Sequence, residues 1–147
     1  MITILFADEN DYMREYVRQE LEDEGYRVFL AGEGEEAVDA AQSECPDLAI
    51  FDIWMPRING LEVAERIATI DPGIHIIFFT NHDGHCLLDP RSRFATACVE
   101  KGYDLSDLKR AIASILTSRD GKGLFRRGLP PMHKRESVLA AAGCGSV

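Results

Sequence analysis

Carboxylates close three of the chain's five short apolar runs. Asp8 and Glu9 follow the run at residues 2–7, Asp52 follows 48–51, and Glu100 follows 97–99 with Lys101 next to it. Thr80 ends the run at 75–79. Carboxylates brought together repel one another, so they keep a proton or gather round a hard cation. Mg²⁺ suits such a place, because it takes one or two protein carboxylates, keeps several waters and completes its shell with phosphate oxygens. An aspartate beside it is a competent nucleophile towards phosphorus and would give an aspartyl phosphate. A lysine opposite would neutralise phosphoryl charge, and phosphoryl transfer needs little beyond such positioning and charge stabilisation.

Taken singly, each residue also has a plain structural reading. An Asp after a strand is commonly a cap or turn former. A Thr at a strand end is an ordinary β residue, and a Lys a solvated charge. Met55-Pro56 and Asn59-Gly60 are turn chemistry, with Gly60 supplying a positive φ or a close approach. Trp54 has a packing reading, and Cys98 reads as a small core residue. The joint placement gives the functional reading its weight. In an open parallel sheet, ligands bind at the carboxyl ends of the strands, and these residues all sit at such ends.

The elements that must position them follow from periodicity. The runs at 2–7, 28–31, 48–51, 75–79 and 97–99 are continuous rather than alternating, as in parallel strands covered on both faces. Between them lie amphipathic segments. Met13, Tyr16, Val17 and Leu21 share a helical face that Gly25 stops. Ala37, Ala40 and Ala41 share another, ending before Pro46. Leu61, Ala64, Ile67 and Ala68 form a third, stopped by Asp71-Pro72-Gly73. Leu105, Leu108, Ile112, Ile115 and Leu116 form the last, with Asp104 as the expected N-cap. Residues 81–94 hold Gly84 and Asp89-Pro90, so a helix there is short or irregular. The pattern predicts an α/β fold, a doubly wound five-stranded parallel sheet with right-handed crossovers.

The 147 residues suit one ordinary domain with a tail, and 46% hydrophobic with 28% charged residues suits a packed core. No apolar run approaches the ~18 residues of a membrane span, so no membrane insertion is expected. The first residues lack a basic stretch before the apolar run, which points to a cytoplasmic chain. The scattered Cys45, Cys86, Cys98 and Cys144 are expected to be reduced thiols. The net charge of −9 divides into −13 for residues 1–117 and +4 for 118–147. A body this acidic repels nucleic-acid backbones and favours cations or basic partners. The expected organisation is a domain at 1–117 and a disordered basic tail at 118–147, rich in Gly and Pro. That tail lacks helix-turn-helix periodicity, so no DNA is expected as a partner.

The chain resembles the receiver domains of bacterial two-component response regulators, in the stand-alone form of the chemotaxis regulators. The residues that carry the likeness are Ile4-Leu5-Phe6-Ala7-Asp8-Glu9, Phe51-Asp52-Ile53-Trp54-Met55-Pro56 with Asn59-Gly60, Phe79-Thr80 and Val99-Glu100-Lys101, spread over residues 1–117. The resemblance implies a flavodoxin-like strand order, 2-1-3-4-5. It implies phosphorylation of Asp52 by a histidine kinase or a histidine phosphotransfer protein, and a signal passed on by protein contact. It implies Mg²⁺ held by Asp8, Glu9, Asp52 and the backbone carbonyl of Trp54. Thr80 and Lys101 would grip the phosphoryl group, and Trp54 and His82 would flank the water that removes it. Mg²⁺-dependent self-phosphorylation from a small phosphodonor and slow self-dephosphorylation go with this reading.

Three departures bear on the output. Gly102 follows the lysine where proline is usual, Asn81 follows the threonine where a small residue is usual, and Cys98 replaces an aromatic ring. The chemistry is expected to be intact and the readout altered. The alternative is a degenerate receiver acting as a phosphorylation-independent scaffold. A hydrolase of the haloacid dehalogenase type would want a carboxylate where Trp54 stands, and a flavin site would want a phosphate loop after the first strand.

Overall fold

The computed structural model describes residues 1–81 and 89–118. Its elements are β1 (Thr3–Ala7), α1 (Asp11–Asp23), β2 (Arg27–Ala31), α2 (Gly34–Glu44), β3 (Leu48–Phe51), α3 (Gly60–Ile70), β4 (His75–Thr80), a 3-10 helix (Pro90–Phe94), β5 (Ala97–Glu100) and α4 (Ser106–Ser118). The strands form one parallel sheet in the order β2-β1-β3-β4-β5. Both the fold class and the order match the expectation.

The continuous apolar runs have a simple cause. Leu5, Ala7, Phe51, Ile76 and Phe78 face α2 and α3, whereas Ile4, Phe6, Ile50, Ile77 and Phe79 face α1 and α4. Both faces of the central strands are covered, so neither set of alternating positions tolerates a polar side chain. Phe6, Phe51, Phe78 and Phe79 are fully buried, each contributing ~2–3 kcal/mol relative to exposure.

Local chemistry sets the helix ends that matter for the site. Asn10 caps α1, its Oδ1 accepting from the Met13 amide at 3.0 Å. At the other end Gly25 has φ 99°, the Gly25 amide donates to the Glu22 carbonyl at 2.9 Å, and Tyr26 donates to Leu21 at 3.2 Å. This is a Schellman stop, as the glycine suggested. Asn59 caps α3, accepting from the Glu62 amide at 3.0 Å.

Several expectations need correction. Asp104 accepts from the Ser106 amide at 3.0 Å, yet the first helical bond of α4 runs from Lys109 to the Leu105 carbonyl at 2.8 Å. Asp104 therefore stands one residue before the cap, because it is the Leu105 carbonyl that accepts that first bond. Helix α4 runs through Ser118, whose buried hydroxyl donates to the Ile115 carbonyl. Cys98 is exposed, not a core residue. Strand alternation puts it on the face opposite Val99, and β5 lies at the sheet edge. Gly84, His82 and Cys86, and the tail from residue 119, lie outside the described residues.

Candidate functional site

The site forms where β1, β3, β4 and β5 end together. The backbone ladder continues past the strands: the Asp8 amide donates to Ala31 at 3.0 Å, and the Asp52 amide to Ala7 at 3.3 Å. These bonds deliver two carboxylates side by side. Asp8 is fully buried, Asp52 and Thr80 nearly so.

Asp52 is held from three directions. Its Oδ1 accepts from the Thr80 hydroxyl at 2.9 Å and from the Trp54 amide at 3.1 Å. Its Oδ2 accepts from Lys101 Nζ at 2.6 Å. The same ammonium lies 2.6 Å from Asp8 Oδ2. Asp8 Oδ1 accepts from the Asn10 amide at 2.8 Å, which turns the chain into α1. Lys101 is thus the counter-ion of both buried carboxylates. Burial pushes its ammonium pKa down, but the close contacts with the Asp52 and Asp8 carboxylates more than offset this, so it stands above the usual lysine value.

A cleft of about 580 Å³ opens above these groups, lined by Asp8, Glu9, Asp52, Trp54, Asn81 and Lys101 among others. Glu9 and Trp54 are exposed at its rim. The residues expected from sequence are therefore gathered in one place, with Thr80 reaching it through its bond to Asp52. The donor set fits Mg²⁺. Asp8 Oδ2 is buried and, among the described residues, accepts no aligned hydrogen bond; Lys101 Nζ stands 2.6 Å from it. Such an oxygen has spare capacity for a hard cation. No three His, Cys, Asp or Glu side chains among the described residues close into a chelating cluster.

Sequence reasoning missed the groups that hold this site from behind. Arg14 on α1 donates from Nη1 to the Asp8 carbonyl at 2.6 Å and pairs with Asp11. Tyr16, counted only as a core-facing residue, donates to the Tyr103 carbonyl at 2.6 Å. Spacing offered no signal for either, because each reaches an atom of the backbone. Gly60 resolves in favour of close approach. A Cβ there would meet the Asp52 carbonyl at 2.4 Å and the Ile53 Cα at 2.7 Å, and no positive φ is involved.

The family model of the response regulator receiver domain matches residues 4–113. The chain belongs to that family. This receiver is 37% identical over 82 residues to the response regulator MprA of Mycolicibacterium vanbaalenii, covering 56% of this chain and 36% of MprA. It is 30% identical over 82 residues to the probable transcriptional regulatory protein TcrX of Mycobacterium tuberculosis, covering 56% of this chain and 35% of TcrX. The receiver thus spans about a third of the length of these curated relatives. Among solved structures it resembles the response regulator TrrA of Thermotoga maritima in complex with Mg²⁺-BeF, with 36% identity, a TM-score of 0.74, and coverage of 78% of this chain and 99% of that one. TrrA in complex with the histidine kinase ThkA matches at 37% identity and a TM-score of 0.72, over 79% of this chain and 99% of that one.

Proposed function

We propose that this receiver is a phosphorylation-dependent signalling switch whose acceptor is Asp52. The observation that carries the reading is a nearly buried carboxylate whose two oxygens are bound separately, one by the Thr80 hydroxyl and one by the Lys101 ammonium. A carboxylate oxygen of Asp52 attacks the phosphorus of a phosphohistidine. The O–P bond forms as the P–N bond breaks, and the electron pair leaves with the imidazole nitrogen. Thr80 and Lys101 then turn to the transferred phosphoryl oxygens, one donating a hydroxyl proton and the other supplying charge. Asp8, Glu9, Asp52 and the Trp54 carbonyl would hold Mg²⁺, which when bound spreads the charge of the phosphoryl group.

The donor is a histidine kinase or a histidine phosphotransfer protein, by analogy with TrrA and ThkA. The switch acts by contact with a downstream protein. Among the described residues no helix is long and apolar enough to cross a membrane.

The test is incubation with a small acyl phosphate and Mg²⁺, followed by intact-mass measurement. The native chain gains one phosphoryl group, Asp52→Asn gains none, and a chelator abolishes the gain. Equal labelling of Asp52→Asn would move the acceptor elsewhere. No labelling of the native chain by this donor or by a phosphorylated histidine partner would favour the scaffold reading.

A further inference from the structure

Lys101 serves a phosphoryl group only if its ammonium stays over Asp52, and the residue that follows it gives the chain the most freedom. At Gly102 an added Cβ would meet nothing within 4 Å, and the backbone lies outside the left-handed region. Neither packing nor φ requires a glycine there, so its main effect is to loosen the loop between β5 and α4.

The restraint comes from other elements. Before Gly102, the Lys101 amide donates to the Thr80 carbonyl at 2.8 Å. After it, Tyr16 on α1 donates from its hydroxyl to the Tyr103 carbonyl at 2.6 Å. The Tyr16 and Tyr103 rings also meet, with centroids 5.8 Å apart and planes at 53°. The flexible link is therefore pinned at both ends, by β4 and by α1. Without the second pin, the lysine backbone would pivot on the Thr80 bond through the glycine.

We propose that Tyr16 is a positioning residue for Lys101, holding the loop after it so that the ammonium is set for phosphoryl oxygens before they arrive. A group ordered in advance loses less entropy on binding. The inference rests on the reading of Asp52 as acceptor and Lys101 as phosphoryl partner. Because Asp8 and Glu9 belong to the β1–α1 loop, which Asn10 and Arg14 hold, loss of the tyrosine hydroxyl affects phosphoryl binding and spares cation binding.

Trp54 is the single tryptophan and lines the cleft, so its fluorescence reports both ligands. Mg²⁺ is titrated first and beryllofluoride next, in saturating Mg²⁺, on the full chain, Tyr16→Phe, Gly102→Ala and the double variant. Tyr16→Phe weakens beryllofluoride binding about threefold to tenfold, the scale of one hydrogen bond, with Mg²⁺ affinity unchanged or slightly tighter. Gly102→Ala, which removes loop freedom, restores much of the lost affinity in the double variant. Native beryllofluoride affinity in Tyr16→Phe, a parallel loss of Mg²⁺ affinity, or no rescue by Gly102→Ala would each overturn the proposal. If the native chain binds no beryllofluoride, the acceptor reading falls and this inference with it; if it binds and Tyr16→Phe binds equally, only this inference falls.

Discussion

At the residue scale the site turns on one ammonium shared by two buried carboxylates. Removing it leaves Asp8 and Asp52 buried without a counter-ion among the described residues. We expect Lys101→Met to lower stability by ~3–5 kcal/mol at neutral pH without Mg²⁺, measured by urea unfolding, and added Mg²⁺ to recover part of the loss. The pH dependence has a definite sign. A pKa raised on folding gives stability that is complete below the unfolded lysine value of ~10.4 and fades as the pH rises through the folded value. The gap between native and Lys101→Met should therefore narrow only in alkali; a gap that widened there would contradict the assignment. Trp54 is 59% exposed at the cleft rim, so packing does not explain it. An indole offers one donor and no acceptor, which lets it block an in-line water but not orient one. Trp54→Asn should shorten the aspartyl phosphate lifetime ~10-fold, equivalent to ~1.4 kcal/mol of barrier. Decay no faster than native would make Trp54 a partner-facing surface residue instead.

At the element scale the loop from β3 to α3 is shaped by what its glycine touches. Gly60 opens α3 with its amide donating to the Ile53 carbonyl at 2.6 Å, and a methyl group there would collide with backbone, not with a yielding side-chain tip. Gly60→Ala should cost ~1–3 kcal/mol and slow phosphoryl uptake, because the displaced backbone is that of Asp52 itself. Thermal midpoint and uptake rate, measured together, check it; a native-like value of either would show that the loop yields without moving the acceptor. Sequence alone left two explanations for Gly60 open, since a turn motif and a close approach look the same in one dimension.

At the scale of the molecule, among the described residues the two core clusters cover both faces of the sheet, and α4 runs through a buried Ser118. A chain ending at Ser118 should keep the thermal midpoint of the full chain within a few degrees. A fall of more than about 10 °C, a few kcal/mol for a domain this size, would show that the tail packs on the core. The readout is a second expectation at this scale. Cys98 is small and exposed, so no ring stands at that strand position to follow Thr80. Amide exchange with and without beryllofluoride should instead change most within residues 81–94, where a five-residue 3-10 helix packs on α3. Unchanged exchange there, with large change elsewhere, would refute it.

Much of this protein was legible in one dimension. Unbroken apolar runs specify strands covered on both faces, and a parallel sheet necessarily collects their carboxyl ends at one edge. Asp8, Asp52, Thr80 and Lys101 could therefore be placed together from where the runs stop, and Gly25 could be read as a helix stop because few other residues accept its φ. Tertiary structure alone decided who holds whom. Arg14 and Tyr16 act on backbone carbonyls of Asp8 and Tyr103, and every residue has such a carbonyl, so composition and spacing are silent about them. The exposure of Cys98 was hidden for a related reason. Burial at a sheet edge depends on what packs over that strand, and no property of the strand's own sequence records its neighbours.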